Sequence, residues 1–331
     1  MKRIVFIIIV CALTCNSFGQ SLIGVTGKPD TSYNNNTAYR SVIKNWPDAK
    51  IVPRFQSSSF KEKRNIVYCK LRSDSAERKL LLDAFYPIEK TKTKRTAIVI
   101  IHGGGWRSGN RMQHYPLAQH LADLGYVCFT PEYRLSTEAL YPAAVYDIKA
   151  SIRWVRKNAK QYNIDTAKIT VLGFSAGGEL AAFIGATNGN AEFEGTGDNL
   201  NYSSNINAVV DIDGTLSFVH PESGEGDDSK KTSAATYWFG YSKKENPELW
   251  KQASPLTHAG KTTPPTLFIN SSVEKMHAGR NDYIKILISY PTYTEVRTFE
   301  NSPHHFCLMD PWFAPTVKYI DGFLKTIFSN K

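Results

Sequence analysis

The stretch that constrains this chain most runs from Lys168 to Gly185: Lys-Ile-Thr-Val-Leu-Gly-Phe-Ser-Ala-Gly-Gly-Glu-Leu-Ala-Ala-Phe-Ile-Gly. Ile169 to Leu172 is β-branched and aliphatic, the pattern of a strand buried on both faces. Glu179 to Ile184 is rich in Ala and Leu and predicts helix. Between them lies Gly173-Phe-Ser175-Ala-Gly177, so the chain must pass from strand to helix around one residue. Such a turn strains the backbone of that residue, and small neighbours relieve the crowding. The outcome is a serine hydroxyl raised above a sheet edge, at the positive end of a helix. Gly-x-Ser-x-Gly alone would be an ordinary turn. The strand before it and the helix after it make Ser175 a candidate nucleophile.

Strands and helices alternate on both sides of this stretch. Asn65 to Leu71 and Lys79 to Tyr86 read as an edge hairpin, joined by the polar residues Arg72 to Arg78. Thr96 to Ile101 is apolar throughout, a central strand that runs into His102-Gly-Gly-Gly-Trp106. Met112 to Leu124 predicts a helix closed by Gly125, and Tyr126 to Phe129 a strand. A helix opened by Pro142 carries Val145, Ile148, Ile152 and Val155 on one apolar face, leaving Asp147, Arg153 and Arg156 as solvated charge. After the nucleophile helix come a polar insertion at 188–205, a strand at Ala208–Ile212 and a long excursion, Ser217 to Trp250, expected to cap the site. The strand Thr266–Ile269, a helix near Asp282–Ser289 and the strand Glu295–Phe299 follow, and a last helix is expected to be capped by Asp310 and begun by Pro311. This alternation predicts one mostly parallel central sheet with helices on both faces.

The 331 residues suffice for one large core, and 42% hydrophobic with 21% charged residues describes an ordinary globular chain. Lys2 and Arg3 precede the apolar run Ile4 to Leu13, and Ser17-Phe-Gly19 offers small residues for cleavage before Gln20. Residues 1–19 are therefore read as a signal peptide, and the protein as exported, periplasmic or extracellular. The apolar run is too short to span a bilayer, so no stable membrane insertion is expected. Residues 20–64, with Asn34-Asn-Asn36 and Ser57-Ser-Ser59, lack periodicity and read as a polar, irregular or mobile extension before a catalytic domain at 65–331. Losing Lys2 and Arg3 takes the formal charge from +10 to +8. No nucleic-acid motif accompanies that charge, which suits either an acidic polymer outside the cytoplasm or plain solubility. Cys69, Cys128 and Cys307 remain after the signal; they allow at most one disulfide and form no disulfide framework or metal-ligand spacing.

His102-Gly-Gly-Gly-Trp106, Gly173-Phe-Ser-Ala-Gly-Gly178 and Ser302-Pro-His-His-Phe306 together resemble the α/β-hydrolase superfamily, over about residues 65 to 331. Within it they look like the secreted bacterial carbohydrate esterases, which include acetylxylan, feruloyl and pectin-acting esterases. The first two motifs also occur together in lipase-type esterases, so the resemblance implies the superfamily more firmly than the substrate. It implies an α/β-hydrolase fold and a serine esterase acting on ester groups of a plant-type polysaccharide such as xylan or pectin, most simply O-acetyl, with methyl or feruloyl as others. The alternatives are a small-acyl carboxylesterase or lipase, and an inactive binding protein on the same fold.

Such chemistry needs a base for the serine and N–H donors for the charge that develops on the carbonyl oxygen. Glycines after a central strand let amides approach closely, so Gly104 and Gly105, with the amide of Ala176, are the expected oxyanion donors. His102 is expected to orient this loop and Trp106 to wall the substrate site. The base belongs on a loop after the last strand. His304 fits, with His305 its rival, and the family pattern of histidine two residues before an aromatic selects His304. The acid is expected after the strand Thr266–Ile269, where the nearest carboxylate is Glu274. Related enzymes usually present aspartate in a Gly-rich turn there, so Asp282 and Asp213 remain rivals. His277 and Arg280 are expected to bind substrate or brace the loop, and Arg107, Arg111, Lys275 and Arg280 to lie around the nucleophile where they would meet an acidic polymer. No metal-ligand cluster or phosphate-cradling loop is present in the sequence, so no cofactor is implied.

Overall fold

The computed structural model describes residues 21–72 and 77–329; the expected signal peptide lies outside them. In chain order the elements are α1 (Asn35–Val42), β1 (Lys50–Ile51), β2 (Phe60–Arg72), β3 (Glu77–Pro87), β4 (Arg95–Ile101), α2 (Tyr115–Asp123), β5 (Val127–Pro131), α3 (Ala143–Lys157), β6 (Ile164–Phe174) and α4 (Ala176–Ala186). There follow β7 (Ala208–Ile212), α5 (Ala234–Phe239), α6 (Pro247–Gln252), α7 (Pro255–His258), β8 (Thr266–Asn270), α8 (Arg280–Ser289), β9 (Thr294–Thr298), β10 (Met309–Asp310) and α9 (Phe313–Phe328).

The main sheet has eight strands in the order β2-β3-β5-β4-β6-β7-β8-β9. β2, β3 and β5 pair antiparallel, and from β5 through β4 to β9 every pairing is parallel. This is the α/β-hydrolase fold. The strand period of two divides β4 between two cores. Val99 and Ile101 pack with the α3 and α4 side, whereas Ile98 and Ile100 pack with α2 and α9. Each fully buried aliphatic side chain of this kind contributes about 1.5–3 kcal/mol of transfer free energy. Ser175 therefore emerges from the centre of a sheet covered on both faces.

Three expectations are corrected, and one left open is answered. Residues 21–64 are not an irregular appendage: the Asn34 side chain caps α1 and Thr37 reciprocates, while Ala38, Val42, Ala49, Val52 and Phe60 are buried in the α2–α9 core. The sparse apolar residues of that segment are enough to dock it because the domain supplies the other face. Asp147 and Arg153 of α3 are buried rather than solvated. Arg134 grips Asp147 through both Nε and Nη2, and Arg153 Nη1 pairs with Glu194 at 2.7 Å. The polar insertion at 188–205 thus exists partly to neutralise α3. The last helix begins at Phe313 with Trp312 at its N-cap, and Asp310 instead pairs with Lys50 in the β1–β10 ribbon. Finally, Cys69, Cys128 and Cys307 are free thiols, all buried.

Candidate active site

β6 ends at Phe174, α4 starts at Ala176, and Ser175 between them has φ 57 and ψ −121. Gly173 permits that turn, since a Cβ there would lie 1.8 Å from the carbonyl oxygen of Gly177. A non-glycine residue in left-handed backbone is rare and marks a constrained site. The His304 ring reaches it from the loop after β9: Nε2 lies 2.9 Å from Ser175 Oγ, and Nδ1 lies 2.9 Å from Asp213 Oδ2. A carboxylate only accepts, so Nδ1 carries the proton and Nε2 is left free to accept from the serine hydroxyl. His305, the rival base, is turned away against the rings of Tyr33 and Phe174, and burial pushes its pKa down to about 3.

The acid partner of His304 is Asp213, not Glu274. Asp213 follows β7 directly, is fully buried, and also has left-handed backbone, φ 51. Its Oδ1 accepts the Ser271 amide at 2.7 Å, which fixes the carboxylate from the end of β8. Glu274 lies in a short 3-10 turn over Glu274–His277, exposed to solvent. Asp282 bonds Lys285 and His220 on the surface. The carboxylate thus comes one strand earlier than expected. β7 and β8 are adjacent parallel neighbours, so a loop from either ends beside the same histidine.

The glycine loop after β4 supplies the donors. The Gly103 amide is committed to Gln113 Oε1 at 2.8 Å, whereas the amides of Gly104, Gly105 and Ala176 have no acceptor among the described residues. His102 orients the loop, as expected. It is buried, stacks on Tyr133 at 4.4 Å, and its own carbonyl accepts the Tyr133 hydroxyl. Burial lowers its pKa to about 4, so it is neutral in ordinary buffers.

Trp106 does not wall the site. It is 4% exposed, stacks on Trp238 with ring centroids 4.8 Å apart, and donates Nε1–H to Glu179 Oε2 at 2.9 Å. The excursion is therefore less a lid than a buttress, since Phe218, Trp238, Phe239 and Trp250 build an aromatic cluster behind the oxyanion loop. Ala234 of the excursion also comes close, its Cβ 2.9 Å from where a Cβ on Gly105 would stand. Arg107 is held by Asp30 and Tyr237, and Arg111 by Asp83 and Glu132, so neither is a loose rim charge. Arg280 donates Nη1–H to Asn270 Oδ1 at 2.6 Å, bracing the end of β8, with His277 beside it in a surface pocket.

Sequence reasoning missed three contributors: the Ser271 amide, Gln113 and Glu179. Glu179 and Asp211 are buried carboxyls behind the nucleophile, and burial holds both well above the usual carboxylate range, with the charge of Asp211 adding to the rise of Glu179 and that of Asp213 to the rise of Asp211. The sequence signal for Glu179 was its position on the helix face that follows Gly178, inside a run otherwise free of charge. Among the described residues there is no cluster of three His, Cys, Asp or Glu side chains placed to hold a metal, and no helix long and apolar enough to cross a membrane.

A nucleophile, an oriented imidazole, a buried carboxylate and unpaired amides can carry out acyl transfer through a covalent serine intermediate. Comparison with known proteins gives the family. The BD-FAE family profile matches residues 82–276, more than half of the chain. The chain belongs to the BD-FAE family. The span contains Ser175, Asp213 and the glycine loop, and ends before His304. The chain is similar to Esterase LipC of Mycobacterium tuberculosis, 28% identical over 196 residues, covering 58% of this chain and 47% of that protein. It is also similar to Esterase LipQ of the same organism, 26% identical over 201 residues, covering 60% and 47%. The chain thus matches about half the length of these curated relatives. A truncated carbohydrate esterase from gut microbiota superposes with a TM-score of 0.69 at 25% identity, over 83% of this chain and 100% of that one. Esterase Est2 of Thermogutta terrifontis shares the fold, with a TM-score of 0.64 at 24% identity, over 82% and 95%.

Proposed function

We propose that this BD-FAE chain is an exported serine ester hydrolase acting on ester groups of a plant-type polysaccharide, most simply O-acetyl. The observation that carries the reading is the continuous relay from Ser175 Oγ through His304 to Asp213, both links 2.9 Å long. In this reading Ser175 attacks the acyl carbon while His304 Nε2 takes its proton. Asp213 holds the imidazole and stabilises its positive charge. The amides of Gly104, Gly105 and Ala176 receive the oxyanion. His304 then returns the proton to the leaving alcohol, and a water repeats the sequence on the acyl-enzyme.

One observation supports the substrate class: the likeness to the gut-microbiota carbohydrate esterase extends over all of that chain. The curated relatives carry the names esterase and carboxylesterase, with no carbohydrate in them, and so leave a second reading, a small-acyl carboxylesterase without carbohydrate preference. Export rests on Lys2, Arg3 and the apolar run after them.

The test is ester turnover by wild type and Ser175→Ala on p-nitrophenyl acetate, then on acetylated xylan, acetylated and methylated pectin, and a feruloyl ester. The alanine variant should lose at least about 10³-fold in kcat while staying folded. Wild-type rates in the folded variant would reject the mechanism. An equal preference across the panel would favour the second reading.

A further inference from the structure

Glu274, displaced from the relay, lines a pocket of about 180 Å³ together with Glu222, His277, Arg280 and Asn281. The pocket adjoins the acid side of the relay. Arg280 is bonded to Asn270, whose neighbour Ser271 gives its amide to Asp213. The segment before Arg280 packs on the loop that follows Asp213, because the amides of Leu216 and Ser217 both donate to the Ala278 carbonyl. Glu222 reaches across to the Gly279 amide at 3.1 Å. Strand order fixes the side. The oxyanion loop leaves β4 on one flank of β6, whereas this pocket lies past β8 on the other flank.

That flank is where the leaving alcohol belongs. The base that takes the serine proton must return it to the alcohol oxygen, so the alcohol lies towards His304 and away from the oxyanion donors. The chemistry of the walls then selects the ligand. Two carboxylates repel an anion, and Arg280 among them repels a bare cation. Every lining side chain can hydrogen-bond beyond the Glu222–Gly279 and Arg280–Asn270 contacts, and a purely aryl or alkyl alcohol would use none of that capacity. A group with several hydroxyls satisfies both kinds, donating to Glu222 and Glu274 while accepting from Arg280 and Asn281. Burial, and then Arg280, lower the pKa of His277, leaving a neutral imidazole that can either donate or accept. Behind the pocket wall, the fully buried Asn270 has Nδ2 without a partner.

Building on the esterase reading, we infer that Glu222, Glu274, His277, Arg280 and Asn281 form a polyol subsite that receives the sugar ring carrying the ester, on the leaving-alcohol side of Ser175. Another cavity, of about 370 Å³, lies elsewhere, against β2 and Thr196–Asp198, and Asp147 on its wall is already neutralised by Arg134.

The experiment uses two acetates that share an acyl group and differ in the alcohol: an acetylated xylotriose and p-nitrophenyl acetate. It compares wild type with Glu274→Ala and Asn281→Ala, both at exposed positions, and with Asp282→Asn as a surface control. Loss of a hydrogen bond to a charged group costs about 1.5–3 kcal/mol, so the ratio of kcat/KM for the sugar acetate to that for the aryl acetate should fall about tenfold or more in Glu274→Ala. Asn281→Ala should lower it less, and Asp282→Asn should leave it unchanged. A ratio that stays constant in Glu274→Ala and Asn281→Ala overturns the subsite, as does a wild type that cleaves the aryl acetate but not the sugar acetate. Binding of unmodified xylotriose, followed by NMR, is read separately from turnover. A wild type without turnover but with xylotriose binding that weakens in Glu274→Ala keeps the subsite and rejects the esterase reading. Absence of both turnover and binding rejects both.

Discussion

Asp213 Oδ2 and His304 Nδ1 stand 2.9 Å apart across 91 positions of sequence, and Asp213 reaches that contact from left-handed backbone at φ 51. Both carboxylate oxygens are used, one by the imidazole and one by the Ser271 amide. The carboxylate is consequently fixed in position before substrate arrives.

Replacement of Asp213 by Asn should therefore lower kcat by about 10⁴-fold with little change in KM, because the amide favours the wrong imidazole tautomer while preserving shape. Asp282→Asn, on the surface, should leave kcat as it is. Steady-state kinetics on p-nitrophenyl acetate decides. Near-normal turnover by Asp213→Asn would remove Asp213 from the relay.

The buried carboxyl of Glu179 gives a stability prediction with a definite sign. Burial raises its pKa well above the ordinary 4.5, so the native state keeps a proton that the unfolded chain releases. Its favourable contribution is complete below the unfolded value and declines as pH rises towards the folded one, at up to about 1.4 kcal/mol per pH unit. Glu179→Gln keeps an acceptor for Trp106 and has no proton to lose. Urea midpoints at about pH 5 and pH 8 should differ less in this variant than in wild type. Equal slopes would mean that Glu179 is not protonated in the native state.

Glu194 faces two buried cations, Lys149 at 3.0 Å and Arg153 at 2.7 Å, each with a side chain only 1% exposed. Glu194→Gln leaves both without a counter-charge and should destabilise the fold by about 3 kcal/mol or more. Chemical denaturation measures this, and activity of the remaining folded protein should persist. A loss within about 0.5 kcal/mol, the range of ordinary surface changes, would show that water already solvates the pair.

Salt dependence addresses the basic balance of the chain. Arg107 and Arg111 are tied to Asp30, Asp83 and Glu132, so they add little net positive field over the site. Between low and moderate ionic strength, kcat/KM for acetylated pectin and for a neutral acetate should change in parallel. A steep fall confined to pectin would restore electrostatic steering of a polyanion.

The elements around Ser175 were legible because each had a strong local cause. A continuous apolar run made β6, alanine and leucine made α4, and glycines marked the loop after β4. The acid was not legible, since Asp213 and Glu274 both follow strands that end beside the same histidine. Only the lateral order of β7 and β8 and the turn at Asp213 separate them, and no local pattern encodes either. Trp106 misled for a related reason. An aromatic beside an oxyanion loop suits a substrate wall equally well, and its true partners, Glu179 and Trp238, lie 73 and more positions away. The buried charges of α3 were unreadable in the helix itself, because their partners Arg134 and Glu194 lie on other segments.

The ribbon of β1 with β10 has a consequence in time. Lys50–Ile51 waits for Met309–Asp310, Trp46 Nε1 bonds Asn301, and Val52 donates to Leu308, so residues 46–52 and 301–310 close together around the loop bearing His304. A chain growing from its N-terminus can assemble the sheet, the serine turn and Asp213 while still attached to the ribosome. The histidine is set only when Met309–Asp310 emerges to meet Lys50–Ile51. The nucleophile therefore stays without its base until the 129 positions from Ser175 to His304 have been made, and a shorter chain carries a serine that has nothing to activate it.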